Sequence, residues 1–407
     1  MTGGARLRHL RRRVAVGAAA LALVATAAYV PAALLAPLPA VAAEAAPVDV
    51  SVPPAPALTV PAYGAAGVEV LGVDGTRTLS GDTGPRSIAS ISKVVTALVV
   101  QDARPLDGGP GGSVTFTDAD AALREQYLAV DGKVAPLAAG TTLTQRQVTE
   151  VMLVESANNY ATALARWAFG SDRAYADAAA AWLAGHGLDD TTVVEPTGLS
   201  PENRSTTADL LELGRLALAD PDVAAVVRTT SVVVPGAGVV ENSNELLGTD
   251  GVVGIKTGTL DEAGACLLFA ADQVVDGEPV TVVGVVLGGP DHDVVDADVR
   301  TLLAGVVDRS RRVDLVSAGD VLATWEAPWG ARVRAVAAED AAVTVWDDPR
   351  VTASVEADAL DEGTAGERVG EVRWSVDDET VHVPLVLEGD LPGPSAWWRL
   401  AHPGQVF

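Results

Sequence analysis

Apolar residues run without a charge from Val14 to Val30 and continue, broken by Pro31, Pro37 and Pro39, to Ala43. Arg6, Arg8, Arg11, Arg12 and Arg13 lie before or at the start of this stretch, and the first acid is Glu44. That layout predicts an export segment over residues 1–43. Small residues at Ala40-Val41-Ala42 favour cleavage there, while an apolar run near ~20 residues also suits an uncleaved anchor. Arg12-Arg13 reads as ordinary charge before the run rather than as a twin-arginine signal. Pro47, Pro53, Pro54, Pro56 and Pro61 then predict an extended, semi-rigid linker over 44–65.

From about residue 66 to 315 helical and strand-like periods alternate, predicting a mixed α/β (α+β) domain with a central antiparallel sheet flanked by helices. Thr144-Gln145-Arg146-Gln147 has the capping-box pattern, Ser171 and Ser205 or Thr206 suit N-caps, and Gly170 and Gly185 suit helix ends. Val252–Thr257, Ala265–Ala271 and Val280–Leu287 are short apolar runs between Asp/Glu/Gly stretches, as expected of consecutive strands at the sheet's centre. Over 316–395 the pattern changes to short alternating runs at 331–337, 342–346, 369–376 and 380–387, which predicts a small β-rich C-terminal domain before a tail at 396–407. Trp325, Trp329, Trp346, Trp374, Trp397 and Trp398 fall in this part, and an aromatic core is the expected use; a carbohydrate-binding face is the alternative. No apolar segment follows Leu400, so any membrane attachment is expected from the N-terminal segment.

Composition agrees with a folded chain: of 407 residues 48% are hydrophobic and 20% charged. The net charge of −26 argues against a polynucleotide partner, whose phosphates need the opposite sign. A single cysteine, Cys266, cannot form an internal disulfide and is expected in the core, and the five histidines show no zinc-like spacing.

Nearly all the positive charge is Arg; the lysines are Lys93, Lys133 and Lys256 alone. Lys can be tuned by burial into a base and is compact, whereas Arg stays protonated and presents a wide fork. Ser90-Ile91-Ser92-Lys93 puts Ser90 and Lys93 on one face at the start of an apolar helix, a nucleophile beside its base. A capping serine with a snorkelling lysine explains that motif equally well. Ser156-Ala157-Asn158 reads either as a helix cap or as a hydroxyl and an amide lent to a cleft. Lys256-Thr257-Gly258-Thr259 places a cation beside a glycine that permits close backbone approach, or is a plain strand end.

Together, Ser-x-x-Lys, Ser-x-Asn and Lys-Thr-Gly, spaced by 66 and 100 residues, resemble the signature of active-site-serine penicillin-recognising enzymes. Among these the chain is most similar to the low-molecular-mass D-alanyl-D-alanine carboxypeptidases, peptidase family S11. Pro196-Thr197-Gly198-Leu199-Ser200, Asn203-Arg204-Ser205-Thr206-Thr207-Ala208-Asp209, Asn242-Ser243-Asn244-Glu245 and Ala263-Gly264-Ala265-Cys266 carry the likeness across about residues 65 to 310. Ser92 departs from the family's usual Thr but keeps a hydroxyl.

The resemblance implies a β-lactamase/transpeptidase-like domain in which Ser90 attacks the penultimate D-Ala carbonyl of a peptidoglycan stem peptide and Lys93 takes its proton. It implies that Ser156 relays a proton, that Asn158 binds the substrate amide, and that the Ser90 and Thr259 amides hold the oxyanion. Lys256, Thr257, Gly258 and Thr259 would receive the terminal carboxylate. It implies no metal or organic cofactor, inhibition by β-lactams, and a place outside the cytoplasm, secreted to the wall or held at the membrane's outer face. A serine β-lactamase is the nearest rival, but Glu195-Pro196-Thr197-Gly198-Leu199 lacks the Asn of the class A Glu-x-x-x-Asn loop. A non-catalytic peptidoglycan-binding protein has no need of the lysine base, and a Ser-His-Asp hydrolase would need a Gly-x-Ser-x-Gly elbow that is absent.

Overall fold

The structure is a computed structural model describing residues 3–50, 52–275, 277–377 and 379–407, with side chains from residue 8. The chain forms two compact units, Pro54–Arg311 and the pair of segments Met1–Pro53 and Arg312–Phe407.

The first unit is built on a five-stranded antiparallel sheet in the order Val252–Leu260, Gly264–Val275, Glu278–Gly289, Ala65–Val70, Thr78–Gly81. Side chains alternate across a strand, so Cys266, Leu268 and Ala270 pack into the main core with the helices of residues 92–185. Leu267, Phe269 and Ala271 face the other way, and the helix His292–Arg309 packs on these strands. Covering on both faces explains why these strands read as unbroken apolar runs. They are longer than the runs suggested, because polar residues such as Asp272 and Gln273 extend the pairing.

One placement differs from the sequence reading. Val252–Leu260 is an edge strand of the sheet, not a central one. Its free side faces the short 3-10 turn Ala89–Ile91 instead of another strand. Its apolar side chains are buried by helices, and burial rather than a second strand neighbour produced the central-looking pattern.

The expected caps form where side chains can reach free amides. Thr144 and Gln147 make a reciprocal capping box, and Ser171 and Thr206 accept from the amides of Ala174 and Asp209. Gly170 ends its helix at φ +86.

The second unit is a six-stranded sheet in the order Glu44–Ala45, Val321–Glu326, Arg332–Ala337, Glu379–Leu387, Arg368–Val376, Val351–Ala357. Its core holds Trp325 and Trp374, both fully buried, whereas Trp397 is 78% exposed and Trp329, Trp346 and Trp398 are half-buried. Two tryptophans thus form the buried centre of the core and Trp329 packs against it, rather than all six being enclosed. The stretch composition marks as linker is also not bare: Glu44–Ala45 pairs with Val321–Glu326, and Val48, Val50 and Val52 pack on this core. An alternating Val pattern between prolines gives the segment one apolar face, and that face packs on the core just past the two paired residues.

Candidate active site

Ser90 lies in the turn Ala89–Ile91, which leads directly into the helix Ser92–Ala103. Ala89 has φ +45, a left-handed conformation costly for a residue with a Cβ. The Ser92 hydroxyl donates to the Ala89 carbonyl at 2.8 Å and holds the turn in that shape. Any hydroxyl at position 92 serves this contact, which accounts for Ser in place of Thr.

Lys93 is fully buried, and its Nζ donates to Ser90 Oγ at 2.9 Å, to Asn158 Oδ1 at 2.6 Å and to the Thr197 carbonyl at 2.6 Å. Three acceptors use all the donors of an ammonium, yet none is a carboxylate. Burial pushes the Lys93 pKa down to about 7; nearby Glu195 opposes the shift and Lys133 adds to it. The same amine that stays charged in water is therefore half-neutral near neutral pH, within hydrogen-bond reach of a serine hydroxyl.

Ser156 sits between the helices Gln145–Val154 and Asn158–Phe169 at φ +69, and it lines the same cleft as Ser90. Asn158 begins the second helix, its amide donating to the Lys133 carbonyl at 2.8 Å. A helix break with a left-handed serine thus points a hydroxyl and an amide into one cavity, rather than merely capping a helix.

Lys256 is 1% exposed and donates to the Thr257 carbonyl at 3.1 Å, with Ser243 Oγ and Thr257 Oγ1 each at 3.4 Å. Burial first, then the charges of Lys93 and Lys133, hold its pKa well below the usual lysine value. Gly258 brings the strand against the nucleophile's turn: a Cβ there would lie 3.0 Å from the Ile88 carbonyl and 3.1 Å from the Ser90 amide. Gly198 is stricter, since a Cβ would fall 1.9 Å from the Ala89 carbonyl oxygen. These two glycines let two loops converge on one serine.

All eight residues singled out from the sequence are brought together; Ser90, Ser156, Asn158, Thr257, Gly258 and Thr259 line one cleft of about 740 Å³, with Lys93 and Lys256 buried beneath it. Other residues were not assigned to the site from the sequence. Lys133 lines the cleft, so every lysine of the chain lies at or beneath it; lysine scarcity was the signal. Ser243 bonds Thr257 Oγ1 at 2.6 Å, and His292 Nε2 lies 2.7 Å from Thr259 Oγ1. Neither shows in local spacing, because each arrives from a distant segment.

Glu195 is tied into its own loop. Its carboxylate accepts from the amides of Thr197, Gly198 and Ser200, from Thr197 Oγ1 and from Asn203 Nδ2, at 2.7 to 3.2 Å. Both oxygens are occupied by groups that hold the loop's shape. Cys266 is fully buried in the core, and burial pushes its thiol up to about 11.

Residues 80–291 match the family model described as D-alanyl-D-alanine carboxypeptidase, Peptidase_S11. The chain is 30% identical over 211 residues to a D-alanyl-D-alanine endopeptidase of Escherichia coli, a match covering 49% of this chain and 63% of that relative. It thus spans under two thirds of the curated relatives' length. Among solved structures it resembles the D-alanyl-D-alanine carboxypeptidase of Francisella tularensis, at TM-score 0.58 and 20% identity over 86% of this chain and 97% of that one. It also resembles a DD-transpeptidase of Streptomyces, at TM-score 0.54 and 25% identity over 62% of this chain and 98% of that one. The family match covers just over half of the sequence and contains all three motifs, and the chain belongs to the D-alanyl-D-alanine carboxypeptidase family, peptidase family S11.

Proposed function

We propose that the protein is a serine-type D-Ala-D-Ala carboxypeptidase that removes the terminal D-Ala from peptidoglycan stem peptides outside the cytoplasm. The observation carrying this reading is the Lys93 amine, 2.9 Å from Ser90 Oγ and pushed down to about 7 by burial. Neutral Lys93 takes the Ser90 proton as Oγ adds to the penultimate D-Ala carbonyl. The Ser90 and Thr259 amides receive the oxyanion. Ser156 passes a proton to the departing D-Ala nitrogen as the acyl-enzyme forms, and Asn158 holds the substrate's amide. Lys256, Thr257, Gly258 and Thr259 form the carboxylate end; an arriving carboxylate raises the Lys256 pKa again, so the ion pair forms as the ligand binds. Water then frees the enzyme.

Class A β-lactamases deacylate with a Glu that activates water, and Glu195, the residue that starts the corresponding loop here, has both oxygens engaged with its own loop. That favours a penicillin-inhibited peptidase over a β-lactamase. The name of the E. coli relative favours a second reading, endopeptidase cleavage of cross-linked stems, in which the same acyl-enzyme forms with a larger departing amine. Release of D-Ala from a stem peptide ending in D-Ala-D-Ala tests the proposal. Full-length protein should release it and Ser90→Ala should not; no release by the unaltered protein, or release by Ser90→Ala, overturns it.

A further inference from the structure

The helix Gly3–Leu35 is exposed on all described sides up to Ala28, with Val14, Val16, Leu21, Leu23 and Val24 each more than 60% exposed. From Tyr29 onward its surroundings change. Tyr29 Oη donates to the Leu400 carbonyl at 2.7 Å, its ring lies 6.4 Å from that of Phe407, and Ala33 is fully buried. Arg399 Nη1 donates to the Ala36 carbonyl at 2.7 Å. Immediately beyond the helix, Val41 and Leu360 exchange both backbone hydrogen bonds, at 2.7 and 3.0 Å. The end of the helix and the residues after it are parts of the β unit, not appendages to it. Cutting after Ala42 would remove the Val41 pairing and uncover what Ala33 and Tyr29 touch.

We propose that the helix is retained as a membrane span and that the segment Ser395–Phe407 forms an aromatic collar seated in the outer-leaflet interface. Length supports the placement: Val14 to Val30 is 17 residues, about 25 Å at the helical rise and near the short limit for crossing the hydrocarbon core. The uninterrupted part of the apolar stretch, before Pro31, ends where the collar docks. Trp397 is 78% exposed and Phe407 71% exposed, while Trp398 is held edge-on to Trp329 at 5.7 Å. Exposed Trp beside Tyr at the end of a span fits the headgroup region, where an apolar ring with a polar edge is best solvated. Arg11, Arg12 and Arg13 at the opposite end put that end on the cytoplasmic side.

The test expresses the full chain in a bacterial host and reads its N-terminus from carbonate-washed membranes by mass spectrometry. A chain retaining residues 3–35 in the washed membranes is expected, and an N-terminus at Ala43 overturns the span. For the collar, Trp397→Cys is labelled with an environment-sensitive fluorophore, Cys266 being buried, and reconstituted in phosphatidylethanolamine/phosphatidylglycerol vesicles. Quenching by headgroup-labelled spin lipid is expected; emission indifferent to that lipid overturns the collar.

Discussion

The Ser90 cleft and the β unit handle positive charge in opposite ways. Beneath the cleft, Lys93 and Lys256 are buried without a hydrogen-bonded carboxylate partner among the described residues, and burial lowers the pKa of both. In the β unit the cations are arginines on the surface, such as Arg334 paired with Glu388 at 2.7 Å with both side chains about half exposed. A buried unpaired charge is costly and tends to shed its proton, whereas an exposed pair is cheap and contributes little. The difference separates a region organised for proton transfer from one organised for packing. It also explains the lysine economy: Arg suffices wherever charge only meets water.

That contrast makes graded predictions. The largest effect is expected at the nucleophile: Ser90→Ala should lower D-Ala release by at least about 10³-fold, since a nucleophile and its base act as a unit. Lys93→Arg comes next, keeping charge but removing the base and overfilling the buried site, with kcat falling by about 10² to 10⁴. If it retains near-normal turnover, the buried-base argument fails. The pH profile sharpens the same point. Lys93 is lowered to about 7, so kcat/KM should fall below that pH as the amine protonates and level off above it. Stability should follow a matching sign. The unfolded lysine holds its proton up to its ordinary 10.5 while the folded one releases it near 7, so this group's contribution rises with pH between those values.

In the β unit, Trp374→Ala removes a fully buried side chain and should cost about 3–5 kcal/mol of that unit's stability, read by denaturant unfolding. Acylation of Ser90 should be unchanged at temperatures where the first unit stays folded. Smallest of all, Arg334→Ala should change stability by less than about 1 kcal/mol. A larger loss there would erase the contrast between the two regions.

Much of this was legible in the chain. The antiparallel runs at 252–289, the capping box at Thr144 and the three motifs all express local periods or spacings that side-chain geometry reads directly. What escaped depends on long-range convergence. Nothing local says that Gly198 must pass within contact of Ala89, or that His292 reaches Thr259, because those contacts join segments about a hundred or more and some thirty residues apart. The edge position of Val252–Leu260 was hidden for a related reason: helices and the nucleophile's turn bury it as thoroughly as a neighbouring strand would. The Val48, Val50, Val52 alternation was readable, but the prolines around it outweighed a three-residue pattern.

The central claim is that Ser90 becomes acylated with Lys93 as its base and that the acyl-enzyme is slow to hydrolyse with a β-lactam. Intact-mass spectrometry of the full-length protein mixed with benzylpenicillin, followed over time beside Ser90→Ala, tests it most directly. A one-drug adduct that persists and is absent from Ser90→Ala is the predicted result. An adduct equally present in Ser90→Ala, no adduct at any time, or rapid drug consumption with free enzyme regenerated would contradict the account.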